Sequence, residues 1–383
     1  MNRSLLAMLL GITLTSGTLM AQKPLPVDPL DHNAALSYWQ AFALLPPIDD
    51  ATRERVASIM RGDSVVDDDM QRLVTASDDS LMFFHRGTSI ESCAWGLAFE
   101  AGPYAYLPHL GKARELSRVA LIRARLRFKA GQVHDGMDDT IAAIQLGRQV
   151  SQQGVIVLIN LLVGLSIESE TIETVVSSLQ YLDQSQRDEL ERRINQFPRE
   201  INMSAALQGE RDVFLGWLIR EVESGRSRER ILGLASESTP PTTITRVQQA
   251  SPKQILGWAK EMGLIYDAVI AAMSQPNETI EQAERLESKI TEELASNPLA
   301  EMFLPAFGSA RLAGKRFVTK RAQLAAAFAL FQSGPSALDR QTLWDPYGDG
   351  PFELERVDEG VELISDLKRD GMPVRLRIPG LPK

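Results

Sequence analysis

Apolar positions along the chain recur mostly at helical spacing, and one stretch sets the pattern. Residues 112–130 read KARELSRVALIRARLRFKA. At about 100° per residue, Ala113, Ala120, Leu121, Ala124 and Phe128 fall on one arc, and Val119, Ile122 and Leu126 on another. Arg114, Arg118, Arg125 and Lys129 lie between the arcs on one side, and Lys112, Arg123 and Arg127 on the other. Two apolar faces predict a helix packed on both sides, as in stacked helical hairpins. Gly131 ends it. The partner helix that follows carries Gly136, Thr140 and Ala143 at spacings of four and three, small enough for close approach. The hairpin is similar to a tetratricopeptide unit, without a regular repeat of that length.

The same periodicity predicts helices elsewhere. One follows Asp31 or Asn33 as cap and stops at Pro46-Pro47; another follows Asp50 and ends at Gly62; a third covers about 67–84. Residues 155–179 are apolar nearly all round, which predicts a buried helix. Their most apolar part, 155–167, is too short to span a membrane. Further helices are expected at about 184–195, 204–224, 252–273, 278–296 and 308–332. Residues 233–253 are rich in Ser, Thr and Pro and read as a linker in which Pro240-Pro241 bars helix.

Beyond Trp344 the period changes to two. Phe352 and Leu354 alternate with Glu353 and Glu355, and Val361 and Leu363 repeat the pattern. Val374, Leu376 and Ile378 alternate with Arg375 and Arg377. Turns at 358–360 and 370–371 make this a three-strand antiparallel meander, which needs the helices to cover one face. The expected fold is therefore mainly α: stacked antiparallel helical hairpins, an irregular tetratricopeptide-like solenoid, with a small C-terminal β meander. The expected divisions are a helical-hairpin domain at 22–232, the linker at 233–253, a second helical segment at 254–332 and the cap at 333–383.

The N-terminus, MNRSLLAMLLGITLTSGTLMAQ, changes the picture of where the chain works. Arg3 precedes an apolar run from Leu5 to Leu14, with small residues up to Ala21, which is the grammar of a secretory signal at 1–21. Losing Arg3 with the signal takes the formal net charge from −9 to −10. That acidity argues against a nucleic-acid partner. The one cysteine, Cys93, forbids an internal disulfide. Export without disulfides fits a bacterial periplasmic or extracellular protein, with no transmembrane segment once the signal is removed.

Candidate chemistry is sparse. Trp95, Tyr104, His109, Arg114 and Arg118 are the candidate binding residues, and a hydrolase site around Cys93–Arg118 is the enzymatic alternative. Cys93 would need a histidine base, and His85 and His109 are nearest in sequence. His32, His85, His109 and His134 lack zinc-site spacing. Asp345, Asp349 and Gly350 match positions one, five and six of an EF-hand loop, but Tyr347 and Arg356 occupy positions three and twelve. A looser calcium site on Asp345 and Asp349 is the only cofactor expectation; otherwise the glycines and Pro346 make a tight turn. The basic residues of 112–129 are expected to pair with Asp135, Asp138 and Asp139.

Two stretches resemble known groups. Residues 93–148, CAWGLAFEAGPYAYLPHLGKARELSRVALIRARLRFKAGQVHDGMDDTIAAIQLGR, resemble uncharacterised exported proteins abundant in planctomycete-type bacteria. Those share the Cys-x-Trp turn, the Leu-Pro-His-Leu step and the Arg-rich helix. Residues 321–365, with WDPYGDGPFELERVDEGVELIS, look like a degenerate form of the tail shared by that group and by type II secretion pseudopilins. The resemblance implies export and a helix leading into a small sheet, and an accessory role in a type II secretion or pilus-like system as a further alternative. The residues themselves favour a non-catalytic binding or scaffold protein with a protein or peptide partner, because stacked hairpins create grooves.

Overall fold

A computed structural model describes residues 32–152, 156–198, 201–235, 239–273, 297–303 and 306–381. The signal expected at 1–21 and the helix expected over 278–296 lie outside the described residues. The chain is mainly helical, with a three-strand antiparallel sheet at its C-terminal end.

Among the described residues, four helices come first: α1 (Ala34–Leu44), α2 (Asp50–Arg61), α3 (Asp68–Ala76) and α4 (Asp78–Thr88). Their starts are written in short polar side chains. Asn33, Asp49 and Asp67 each accept a backbone N–H of the first turn, satisfying donors that have no intrahelical partner. Gly62 ends α2 in the left-handed region, φ 83°, where a Cβ would be strained. The single helix expected over 67–84 is two helices. The Ser77 hydroxyl donates to the Leu73 carbonyl and its N–H to Val74, which closes α3 before Asp78 opens α4.

After an extended stretch and a 3-10 segment (Phe99–Tyr104) come three long helices: α5 (Pro108–Lys129), α6 (Val133–Gln152) and α7 (Leu158–Ser178). Ala113, Ala120, Leu121, Ala124 and Phe128 of α5 are all buried, and so are Val119 and Ile122, so the helix is packed on both sides as its pattern predicts. The α6–α7 crossing is tight: a Cβ on Gly164 would lie 2.5 Å from the Gly147 carbonyl oxygen and 2.5 Å from the Ser151 Cβ.

Then follow α8 (Gln184–Ile194), α9 (Met203–Glu223), α10 (Ser227–Leu232), α11 (Pro241–Gln249), α12 (Pro252–Met273), α13 (Pro298–Phe303) and α14 (Ala306–Ser333). The presence of α11 corrects the expectation that Pro240-Pro241 bars helix. Pro241 sits at the first helical position, where its missing N–H costs nothing and its φ is already helical. Val247 and Ala250 of this stretch are buried.

The tail is β1 (Glu353–Val357), β2 (Gly360–Arg369) and β3 (Met372–Pro379), in the order β1-β2-β3. Leu354 pairs with Leu363, and Leu363 with Leu376. That register puts Leu363, Leu376 and Ile378 on the covered face. Helix α14 grips this face: the Gln323 amide donates to the Leu363 and Val374 carbonyls, and the Lys320 ammonium donates to the Arg375 carbonyl and pairs with Glu173 of α7.

Among the described residues, two apolar clusters make the core. One holds Tyr38, Phe84, Leu116, Leu146 and Ile167, with α1–α4 laid on α5–α7. The other holds Phe128, Trp217, Met262, Phe317 and Leu363, and runs from α5 to the sheet. No helix among the described residues is long and apolar enough to cross a membrane.

Candidate functional site

The stretch from Cys93 to Arg118 divides between the core and two separate surfaces. Trp95 lies in the N-terminal core, its ring 5.5 Å from Tyr38, 6.2 Å from Phe42 and 4.7 Å from His109. His109, on the first turn of α5, is fully buried. Its Nε2 lies 3.3 Å from the Asn160 amide nitrogen, and its Nδ1 has no partner among the described residues. Burial pushes its pKa down to about 4, so the ring is neutral. The Tyr38 hydroxyl donates to Gln149 Oε1, Trp95 Nε1 donates to the Gln149 carbonyl (3.3 Å), and Gln149 Nε2 donates to the Ile90 carbonyl (2.6 Å). These bonds give the buried polar groups partners and fix how α1 and the 90–98 stretch sit on α6.

Cys93 is buried in the same cluster, and burial pushes its thiol up to about 12. A nucleophilic cysteine needs its thiolate, and this environment withholds it. The other candidate residues point elsewhere. Tyr104 stands 6.0 Å from the Trp217 ring of α9, with the Arg230 guanidinium 4.7 Å over its face and its hydroxyl donating to the Arg230 carbonyl. Arg118 makes a two-pronged pair with Glu170 of α7, Nη2 to Oε1 at 2.6 Å and Nε to Oε2 at 3.0 Å. Arg114 is half-buried, with an Nε that has no acceptor among the described residues. The structure thus joins Trp95 with His109 and sends Tyr104 and Arg118 to different neighbours.

A concave site does exist beside this stretch. The 3-10 segment and α9 flank an open groove of about 550 Å3. Phe99, Ile156, Ala205 and Val213 give it an apolar floor; Glu100, Gln208, Asp212 and Arg220 give it a polar rim. Local sequence sets its walls. A Cβ on Gly209 would lie 1.9 Å from the Ile156 carbonyl oxygen, so glycine alone lets α9 come this close. Beneath, the Glu210 carboxylate accepts the Leu158 N–H at 3.1 Å, and burial raises its pKa. Arg220 closes one end by donating to the Glu100 carbonyl at 3.0 Å. Sequence reasoning passed over Phe99, Ile156 and Val213. Each looks like an ordinary core residue, and only the fold brings the three stretches together.

The Asp-Pro turn is a hub of hydrogen bonds. Asp345 is buried; its Oδ1 accepts the Ser365 hydroxyl at 2.9 Å and the Tyr347 N–H at 3.1 Å, and its Oδ2 accepts the Asp366 N–H at 2.6 Å. Both oxygens therefore serve protein donors and tie the turn to the irregular part of β2, between Ile364 and Lys368. Asp349 is exposed. No group of three or more His, Cys, Asp or Glu side chains is gathered for a metal ion among the described residues.

Compared with protein-family models, with curated proteins and with solved structures, the chain finds no match.

Proposed function

We propose that the chain is an exported, non-catalytic binding or scaffold protein of the bacterial cell envelope, built on irregular tetratricopeptide-like hairpins, with a protein or peptide as its partner. The observation that carries this reading is the groove along α9. It is open, apolar at its floor and charged at its rim, as surfaces that receive a side chain of another protein are. The hydrolase alternative has no such support. Its two reactive candidates, Cys93 and His109, are sealed in a core that keeps the thiol protonated and the imidazole neutral. Export rests on the signal-like N-terminus and on the lone, buried cysteine.

Affinity capture tests it. The tagged chain, expressed with its own N-terminus, is recovered from the envelope fraction with and without Val213→Glu, and co-purifying proteins are quantified. The wild type should retain a partner that the variant loses by about tenfold, since a buried charge in the groove opposes an apolar contact. Equal retention by both, or a chain found only in the cytoplasm, overturns the reading.

A further inference from the structure

A second cleft, of about 510 Å3, opens where α4, α5 and α6 meet, on side chains that the α9 groove does not use. Behind its lining lies Asp139, fully buried. Its carboxylate accepts Nε of Arg123 at 3.0 Å and Nη2 at 2.7 Å, and Nη1 of Arg127 at 2.8 Å; His85 Nε2 stands 2.8 Å from Oδ1. Burial alone would raise the Asp139 pKa, but the hydrogen bonds from His85 and Arg123 and the two guanidinium charges hold it below the usual carboxylate range. One carboxylate thus aligns two guanidiniums and still leaves donors over. Arg123 Nη1 and Arg127 Nη2 have no hydrogen-bond acceptor among the described residues. Arg123 Nη1 comes only within 3.7 Å of Asp78.

The rim has the opposite sign. Asp78, in the first turn of α4, and Asp135, in the first turn of α6, are exposed carboxylates; Asp138 is already paired with Arg193 of α8 at 2.7 Å. One wall is apolar at Met82, whose side chain is largely in solvent, with the fully buried Leu81 behind it. A plain anion reaching the guanidiniums would pass two carboxylates, and a plain cation reaching those carboxylates would face two guanidiniums. The charges are close to balanced yet separated in depth, with an aliphatic wall between.

We propose that this cleft binds a small zwitterion of the aliphatic α-amino-acid class, with its carboxylate on Arg123 and Arg127, its ammonium on Asp78 and Asp135, and its side chain against Met82. Arg127 Nη2 and Arg123 Nη1 are left to take a carboxylate, one donor from each guanidinium, and Asp139 holds both guanidiniums in place before the ligand arrives.

The test separates the two charged ends. Purified chain is titrated calorimetrically with L-leucine, with 4-methylpentanoate, which lacks the ammonium, and with isoamylamine, which lacks the carboxylate. Leucine should bind, and each one-ended analogue should bind about tenfold more weakly or worse, as the loss of a charge-assisted contact requires. Arg127→Gln and Asp135→Asn should each weaken leucine by a similar factor. Asp135→Asn carries the test if Arg127→Gln disturbs folding, because the Asp135 side chain is exposed and only its carbonyl serves Arg127. No leucine binding at about 10 mM, equal binding of either analogue, or indifference to Asp135→Asn overturns the proposal.

Discussion

His109 and Glu168 are buried titratable side chains whose protonation is linked to folding in opposite senses. His109 is held neutral, with its pKa pushed down to about 4 by burial. A depressed histidine contributes stability that is present above its unfolded pKa near 6.5 and lost as pH falls towards 4. Glu168 of α7 is buried; it accepts one hydrogen bond from Arg148 Nη2 of α6 at 2.9 Å, Arg148 Nε stands 2.7 Å from its other oxygen as a charge contact, and Arg321 of α14 lies at 3.8 Å. Burial pushes its pKa up to about 7, against the pull of both arginines. Its contribution is therefore present at low pH and is lost as pH rises towards 7. The two trends offset each other in the whole protein, so the comparison with a variant reveals each one. Between pH 7 and pH 5, urea denaturation should show the wild type losing about 2 kcal/mol more stability than His109→Gln. Identical pH dependence in the two would show that His109 is not held neutral. The sequence displays His109 after a proline and Glu168 on an apolar helix. The burial that decides the state of Glu168, and Arg148 and Arg321 that oppose it, come from other helices, so no local pattern reveals them.

Helices were legible where a periodic face and a cap coincide, and their breaks were not. Asp67 announces α3, but the apolar spacing runs straight through Ser77, whose buried hydroxyl turns inward to end the helix. Crossings were half legible. The small residues Gly136, Thr140 and Ala143 mark α6 as a close-packing helix, whereas Gly164 is hidden in the apolar text of α7. That glycine supports a contrast between two substitutions. Gly164→Ala brings a methyl to 2.5 Å from the Gly147 oxygen and the Ser151 Cβ, and should destabilise by about 1–3 kcal/mol despite the better helix propensity of alanine. Gly111→Ala, in α5, meets nothing within 4 Å and should stabilise by about 0.5–1 kcal/mol. Thermal melts of the two variants should move in opposite directions; shifts of the same sign would mean that α6 and α7 do not cross at Gly164.

At the scale of the whole molecule, the change of period from helix to strand made the β cap legible, and the need to cover one face made its docking on helices legible too. Which helices cover it was not, because α7 and α14 are far apart in the chain and come together only in the fold, where Lys320 joins Glu173 and Arg321 approaches Glu168. The residues of the Asp-Pro turn fit either a tight turn or a calcium loop, and the choice rests on what Asp345 accepts. Its two oxygens take one hydroxyl and two N–H donors, leaving a cation to displace bonds that already hold the turn to β2. Asp345→Ala strands those buried or half-buried donors, so it should lower stability by about 2–4 kcal/mol. If the carboxylate works as such a brace, the wild-type melting temperature should be the same within about 1 °C in excess chelator and in millimolar calcium, because only a ligand that prefers the folded state raises it. A rise of several degrees with calcium that disappears in Asp345→Ala would instead make the turn a metal site, with its hydrogen bonds a stand-in for the ion.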